Sequence, residues 1–188
     1  MPILGIIYEN CTGCHLCELA CSYTHEGVFN PLLSRITVLT KPEVQTSVPV
    51  YCLQCRDAAC ERVCPVDAIH LDGKVGAYVI DYSRCIGCRE CAYACPFGAI
   101  SFDFDVSPIK CDLCGGEPEC AKVCPHDAII YGPEERVMRE LKKAKAAGVS
   151  YGIYGQLSGE PSPYRTKKAE EATKLLREIW KRNEGLEL

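Results

Sequence analysis

The sequence predicts an α+β fold made of a small repeated unit and closed by a helical extension. Three observations predict it. Sixteen Cys among 188 residues fall into four complete quartets with none left over. Three of the quartets run on into the same tail, C-P-x-x-A-I, and then into a short β-rich run. Beyond Pro133 the cysteines stop and the pattern turns helical.

The quartets are Cys11, Cys14, Cys17, Cys21; Cys52, Cys55, Cys60, Cys64; Cys85, Cys88, Cys91, Cys95; and Cys111, Cys114, Cys120, Cys124. The first and third have the spacing C-x2-C-x2-C-x3-C, and the second and fourth lengthen the middle gap. The tails are CPVDAI from Cys64, CPFGAI from Cys95 and CPHDAI from Cys124, where Pro65, Pro96 and Pro125 end the local turn. Strands are expected after them at Ile69–Leu71, Ile100–Phe104 and Ile129–Tyr131. Further strands are expected at Ile3–Tyr8, Ile36–Leu39 and Ala77–Asp81. Pro42 and Pro49 bracket a connector between the first two quartets. The first quartet departs from the repeat: Cys21 is followed by Ser22, not Pro, and by the insert HEGVFNPLLSRITV from His25.

Pro133 suits a first helical position, and Glu134 and Glu135 suit the positive helix start. This helix is expected to reach Ala147, with Gly148 as its stop. Residues 148–164 read as a loop or linker. A second helix is expected over Lys167–Asn183, with Ala169, Ala172, Leu175, Leu176, Ile179 and Trp180 on one face. That face either packs on the chain's own core or docks a partner.

Composition narrows the classes. Met1–Asn10 lacks a basic segment, a long apolar run and a cleavage site. No stretch approaches the ~18 apolar residues of a membrane-spanning helix. The expectation is a cytoplasmic chain without membrane insertion, its thiols reduced or bound to metal. Residues 1–133 carry a net charge of −7 and residues 134–188 a net +3, without a basic patch interleaved with aromatics. Nucleic-acid binding therefore has no support.

Thiolates bind soft metals, which leaves zinc, iron–sulfur and copper. A structural zinc site takes two C-x2-4-C pairs set a dozen or more residues apart. Here three cysteines crowd one loop, which suits three corners of a cubane, and the fourth points away. Four cubanes, [4Fe-4S], are expected, with several zinc sites as the competing reading.

Residues 49–104, including YVIDYSRCIGCRECAYACPFGAI from Tyr78, resemble a two-cluster bacterial ferredoxin. The resemblance implies that Cys52, Cys55, Cys60 and Cys95 hold one cluster and that Cys85, Cys88, Cys91 and Cys64 hold a second. Residues 1–131 resemble the four-cluster iron–sulfur subunits that accompany molybdenum and tungsten oxidoreductases. That resemblance pairs the outer quartets, giving Cys11, Cys14, Cys17 and Cys124 for a third cluster and Cys111, Cys114, Cys120 and Cys21 for a fourth. It implies two pseudo-symmetric ferredoxin-like units, one inserted in the other. The outer unit is 1–48 plus 105–132, the inner is 49–104, and the helical tail is 133–188. The segment CTGCHLCELACSYTHEGVFNPLLSRI from Cys11 is similar to small subunits found with tungsten aldehyde:ferredoxin oxidoreductase-type enzymes, tungsten benzoyl-coenzyme A reductase among them. It also resembles the iron–sulfur protein of carbon monoxide dehydrogenase. Subunits of formate dehydrogenase and dimethyl sulfoxide reductase share the cluster pattern but match this insert less well.

A cubane held by four thiolates has no open coordination position and changes charge by one electron. The expected role is therefore not an enzyme's. It is that of an electron-transfer subunit joining a tungsten or molybdenum pterin catalytic subunit to a further redox subunit or ferredoxin. A freely diffusing polyferredoxin and a zinc-binding module are the alternatives. His15 and His126 beside the cysteine loops read as ordinary loop residues, with tuning of a potential or proton relay as the alternative. Tyr51, Tyr93 and Phe97 read as packing.

Overall fold

The two ends of the cysteine-rich region meet in one sheet. In the computed structural model, residues 2–41, 46–147 and 151–153 are described. Strand β1 (Pro2–Ile7) pairs antiparallel with β8 (Ile129–Pro133), Ile6 opposite Ile129 and Pro2 opposite Pro133. On its other side β1 pairs with β9 (Tyr151–Ile153), Ile7 opposite Tyr151. The sheet order is therefore β8-β1-β9.

Three two-stranded antiparallel ribbons fill the interval: β2 (Ile36–Lys41) with β3 (Thr46–Tyr51), β4 (Ile69–Asp72) with β5 (Ala77–Ile80), and β6 (Ile100–Phe102) with β7 (Pro108–Lys110). Short helices alternate with them: α1 (Leu16–Glu26), α2 (Ala59–Arg62), α3 (Glu90–Ala94) and α4 (Glu119–Lys122). The α+β class is as expected.

Several elements differ from the sequence expectation. The connector between the first two quartets contains β3, with Pro49 opposite Val38. A two-stranded ribbon leaves one side of each strand unpaired, so a residue without an N–H is tolerated there. The loop expected at 148–164 contains β9. β7 was not expected either. β6 stops at Phe102 because Asp103 turns the chain: its Oδ1 accepts the Ser107 N–H at 2.7 Å. Pro133 ends β8 with extended backbone (φ −52°, ψ 138°), and helix α5 (Glu134–Ala146) starts one residue later. Glu134 and Glu135 occupy its first turn and Lys143 and Lys145 its last, complementing the helix dipole at both ends. The expected second helix, Lys167–Asn183, lies outside the described residues.

Three apolar clusters hold the elements. The largest joins Leu4, Ile6, Ile36, Val38, Tyr51, Leu113 and Ile129 with the buried Cys17, Cys21 and Cys120. A second joins Ala58, Ile69, Tyr78 and Ile100 around Cys91. The third seats α5 on β1 through Ile3, Val137 and Leu141. Fully burying a side chain such as Leu4 or Leu141 contributes ~1.5–3 kcal/mol. Gly5 is what lets α5 approach, since a Cβ there would stand 2.9 Å from Val137 Cγ1. No helix among the described residues is long and apolar enough to cross a membrane.

Candidate metal centres

Each cysteine loop has a left-handed residue directly before its second cysteine. These are Gly13, Gln54, Gly87 and Leu113, with φ of 69°, 48°, 69° and 58°. Glycine adopts this conformation freely. At Gly13 the neighbourhood forbids a side chain as well, because a Cβ would meet Ser47 Oγ at 2.5 Å. Gln54 and Leu113 carry about 1–2 kcal/mol of strain each and are held by other means. Leu113 is fully buried, and Gln54 is fixed by three hydrogen bonds. Its Oε1 accepts from the Tyr78 N–H (2.7 Å) and Lys110 Nζ (3.1 Å), and its Nε2 donates to the Cys111 carbonyl (2.6 Å).

The C-P-x-x-A-I tails share a second left-handed residue: Asp67 (φ 49°), Gly98 (φ 60°) and Asp127 (φ 50°). Asp and Gly tolerate this conformation best, which explains the residue choice at that place. The turn aims the next N–H back at sulfur. Ala68 N donates to Cys64 Sγ at 3.2 Å and Ala99 N to Cys95 Sγ at 3.4 Å. Burial pushes the Cys64 thiol up, but the N–H groups of Val66, Ala68 and Ile69 outweigh it and leave it below its ordinary value.

Cys21 reaches a similar state by another route. It sits inside α1, which runs on to a Gly27 cap at φ 70°. The Arg35 N–H donates to its Sγ at 3.3 Å. Burial pushes this thiol up too; hydrogen bonds from His25, Arg35 and Ser34 overcome it and leave the thiol lowered. His25 Nε2 meets Asp112 Oδ1 at 2.9 Å and its Nδ1 meets the Cys21 carbonyl at 2.8 Å, tying α1 to the fourth quartet. The Asp112 hydrogen bond is the largest of the influences that raise His25 to about 12.

The sixteen cysteines are in no disulfide, and twelve of them line three cavities in crossed sets. One apolar cavity is lined by Cys11, Cys14, Cys17 and Cys124. A second is lined by Cys64, Cys85, Cys88 and Cys91, and a third by Cys52, Cys55, Cys60 and Cys95. Around Cys120, burial comes first in pushing the thiol well above its ordinary value, and the neighbouring charges of Cys111, Cys21 and Cys114 add to it. Each of the three cavities takes three sulfurs from one quartet and one from another.

The donor geometry tests what such a set can hold. Two sulfurs on a single zinc at ~2.3 Å lie no more than ~4.6 Å apart. Among the described residues, one trio of possible metal donors lies within 4.8 Å of one another, and it is His25, Asp112 and Cys114. No cysteine set contracts that far. Sulfur donors spread around an apolar space fit a larger cluster, with one sulfur for each iron corner. Burial also holds Cys17 up at about 12 and Cys60 at about 11. These thiols keep their protons until metal displaces them.

Other residues fall into place around the sets. His15 and His126 line the cavity of Cys11, Cys14, Cys17 and Cys124. His15 Nδ1 lies 2.6 Å from Glu18 Oε2, while Glu18 Oε1 accepts the Val38 N–H at 2.6 Å. Tyr51 is buried, its hydroxyl donating to the Leu4 carbonyl at 3.5 Å, and Phe97 lines the third cavity. Tyr93 corrects the packing expectation: it is 82% exposed. Sequence reading missed Gln54, Lys110, Glu18 and the His25–Asp112 bridge. The available signal was weak. Lys110 interrupts an apolar run directly before a cysteine, and His25 opens the insert that replaces the missing Pro.

Comparison with known proteins agrees with this chemistry. The 4Fe-4S dicluster domain family matches residues 51–99, and a 4Fe-4S binding domain family matches residues 8–24. The chain is 42% identical over 112 residues to the aliphatic sulfonate oxidoreductase, polyferredoxin-like subunit of Pyrococcus furiosus, covering 58% of this chain and 64% of that protein. It is 43% identical over 114 residues to the putative electron transport protein YsaA of Escherichia coli strain K12, covering 55% of this chain and 70% of that protein. Among solved structures, the active site complex BamBC of benzoyl coenzyme A reductase with benzoyl-CoA aligns at a TM-score of 0.44 and 25% identity, over 78% of this chain and 89% of that chain. With sixteen cysteines in four quartets, family matches over the first three of them and this similarity to an electron transport protein, the chain belongs to the ferredoxin-like 4Fe-4S electron-transfer proteins and carries four [4Fe-4S] clusters.

Proposed function

We propose that the chain is the wiring subunit of a cytoplasmic oxidoreductase complex, passing single electrons between a tungsten or molybdenum pterin catalytic subunit and an external donor or acceptor. All sixteen cysteines serve as ligands, in the crossed sets set out above. The observation that carries the reading is the order of those sets. The two exposed cysteines, Cys88 and Cys14, belong to two different sets, whereas no cysteine of the other two sets is exposed. The charge of Cys52 acts on Cys111, and that of Cys17 acts on Cys120. The sets therefore run in the order Cys64/85/88/91, Cys52/55/60/95, Cys21/111/114/120 and Cys11/14/17/124, from one surface to another.

When bound, each cubane supplies a one-electron reservoir with no site for substrate. The chain's residues do the rest. The left-handed loop residues place the sulfurs. The backbone N–H groups on Cys21, Cys64 and Cys95 favour the more negative state of each sulfur. The apolar linings exclude water. The inner ferredoxin-like unit, residues 49–104, supplies the first two sets, and the outer unit, 1–48 with 105–132, supplies the others. The tungsten or molybdenum partner is supported by the resemblance of the Cys11–Ile36 segment, and a complex by the relative named as an oxidoreductase subunit.

Anaerobic purification of the native protein tests this. Expected is a complex with a pterin-metal subunit and an iron and acid-labile sulfide content that fills four cubanes. A lone monomer with full cluster content would overturn the subunit reading and leave a freestanding carrier. In Cys95→Ser, the cluster of Cys52, Cys55 and Cys60 is expected to suffer. Loss of the Cys85/88/91 cluster alone refutes the crossed sets.

A further inference from the structure

Among the described residues Lys110 is the buried cation, only 5% exposed at the end of β7. Its ammonium donates to three acceptors: Gln54 Oε1 at 3.1 Å, the Tyr78 carbonyl, and the Cys111 carbonyl at 3.0 Å. An ammonium has three donors, so its hydrogen bonding is complete. Its charge is not balanced, because all three acceptors are neutral and no carboxylate pairs with it among the described residues. A buried charge without a counter-charge is strongly disfavoured. Something anionic must therefore stand near it.

Its position says what. Lys110 lines the cavity of Cys52, Cys55, Cys60 and Cys95, and it directly precedes Cys111. It stands where the second and third sets of the wire meet. A cubane on four thiolates is an anion, and it gains one further negative charge when it accepts an electron from its neighbour. No cysteine of the two middle sets is exposed, and Cys52 and Cys120 are buried, which disfavours that extra charge at the middle of the wire relative to ends that reach the surface at Cys88 and Cys14. Without compensation the two middle clusters would be an uphill step. The Lys110 charge also acts against the protonated state of Cys55, Cys60 and Cys111, as a cation near those sulfurs must.

We propose that Lys110, clamped by Gln54, is a built-in counter-charge that raises the reduction potentials of the two middle clusters together and so levels the electron path. The proposal rests on the wire order given under the proposed function. Lys110 is a positioning residue for charge and no ligand.

The test is an EPR-monitored redox titration of the full-length, anaerobically prepared protein, with iron and sulfide content measured on each sample. The middle signals are assigned through Cys60→Ser and Cys120→Ser. In Lys110→Met, the midpoints of the two middle clusters are expected to fall while the two end clusters stay put. Lys110→Arg is expected to keep the original values. Should Lys110→Met come without its middle clusters, Gln54→Glu decides: the lysine remains, a carboxylate faces it, and the same two midpoints fall. Full cluster content with all four midpoints unmoved, or with all four moved equally, overturns the proposal. An unsubstituted protein without iron and sulfide would instead sink the cluster reading itself.

Discussion

Cys64 and Cys21 arrive at the same electrostatic condition from opposite kinds of chain. At Cys64, six residues suffice. Pro65 stops the local turn, Asp67 goes left-handed, and the N–H groups of Val66, Ala68 and Ile69 converge on sulfur. At Cys21 no such turn exists, because α1 continues beyond it to Glu26. The donor comes from Arg35, 14 positions on, and His25 reaches across to Asp112, 87 positions away. The difference separates what the fold must supply from how a segment supplies it. A buried sulfur that is to be negative needs donors; a short motif and a long insert are interchangeable sources.

The comparison can be broken most severely by removing what both regions serve. Chelating the iron under mild oxidation is expected to abolish most of the far-UV circular dichroism in both, since Cys17, Cys21, Cys91 and Cys120 are part of the apolar clusters. Refolding is then expected to require iron and sulfide; survival of α1 alone would show the two regions to be energetically independent. Next in size, Arg35→Pro deletes the N–H at 3.3 Å from Cys21. A loss of about 1.5–3 kcal/mol is expected in anaerobic denaturant titration. Arg35→Ala keeps the N–H and controls for the 2.7 Å ion pair with Glu26. The tail side is more modest. Asp67→Val forces a branched side chain into φ 49° and is expected to cost about 1–2 kcal/mol. Asp67→Gly is expected to melt at the original temperature or slightly above it. Smallest of all, Lys122→Ala removes solvent-exposed pairs with Glu117 and Glu119, and its melting curve is expected to overlay that of the parent.

Legibility followed the range of the interactions. The quartets, their tails and the strands after them could be read because each is local: a loop, a turn and a short run decided within a few residues. The crossed grouping was implied by family resemblance, and three cavities are each lined by three cysteines of one quartet and one of another. β3 escaped because Pro49 read as one bracket of a connector, though the unpaired side of a two-stranded ribbon accepts proline. β9 escaped because it exists only as a partner for β1. Lys110, Gln54 and the His25–Asp112 bridge escaped for one shared reason. Each gets its meaning from a contact more than fifty residues away in the chain, where periodicity and propensity carry no information.

The pairing of β1 with β8 bears on how the protein is made. A ribosome releases β1 and the first three cysteines early, yet Ile6 must wait for Ile129 and Cys11 must wait for Cys124. Cys52 through Cys95 emerge complete in the meantime. With the ligand sets proposed above, the inner quartets can be complete while the N-terminal thiols still lack their partners.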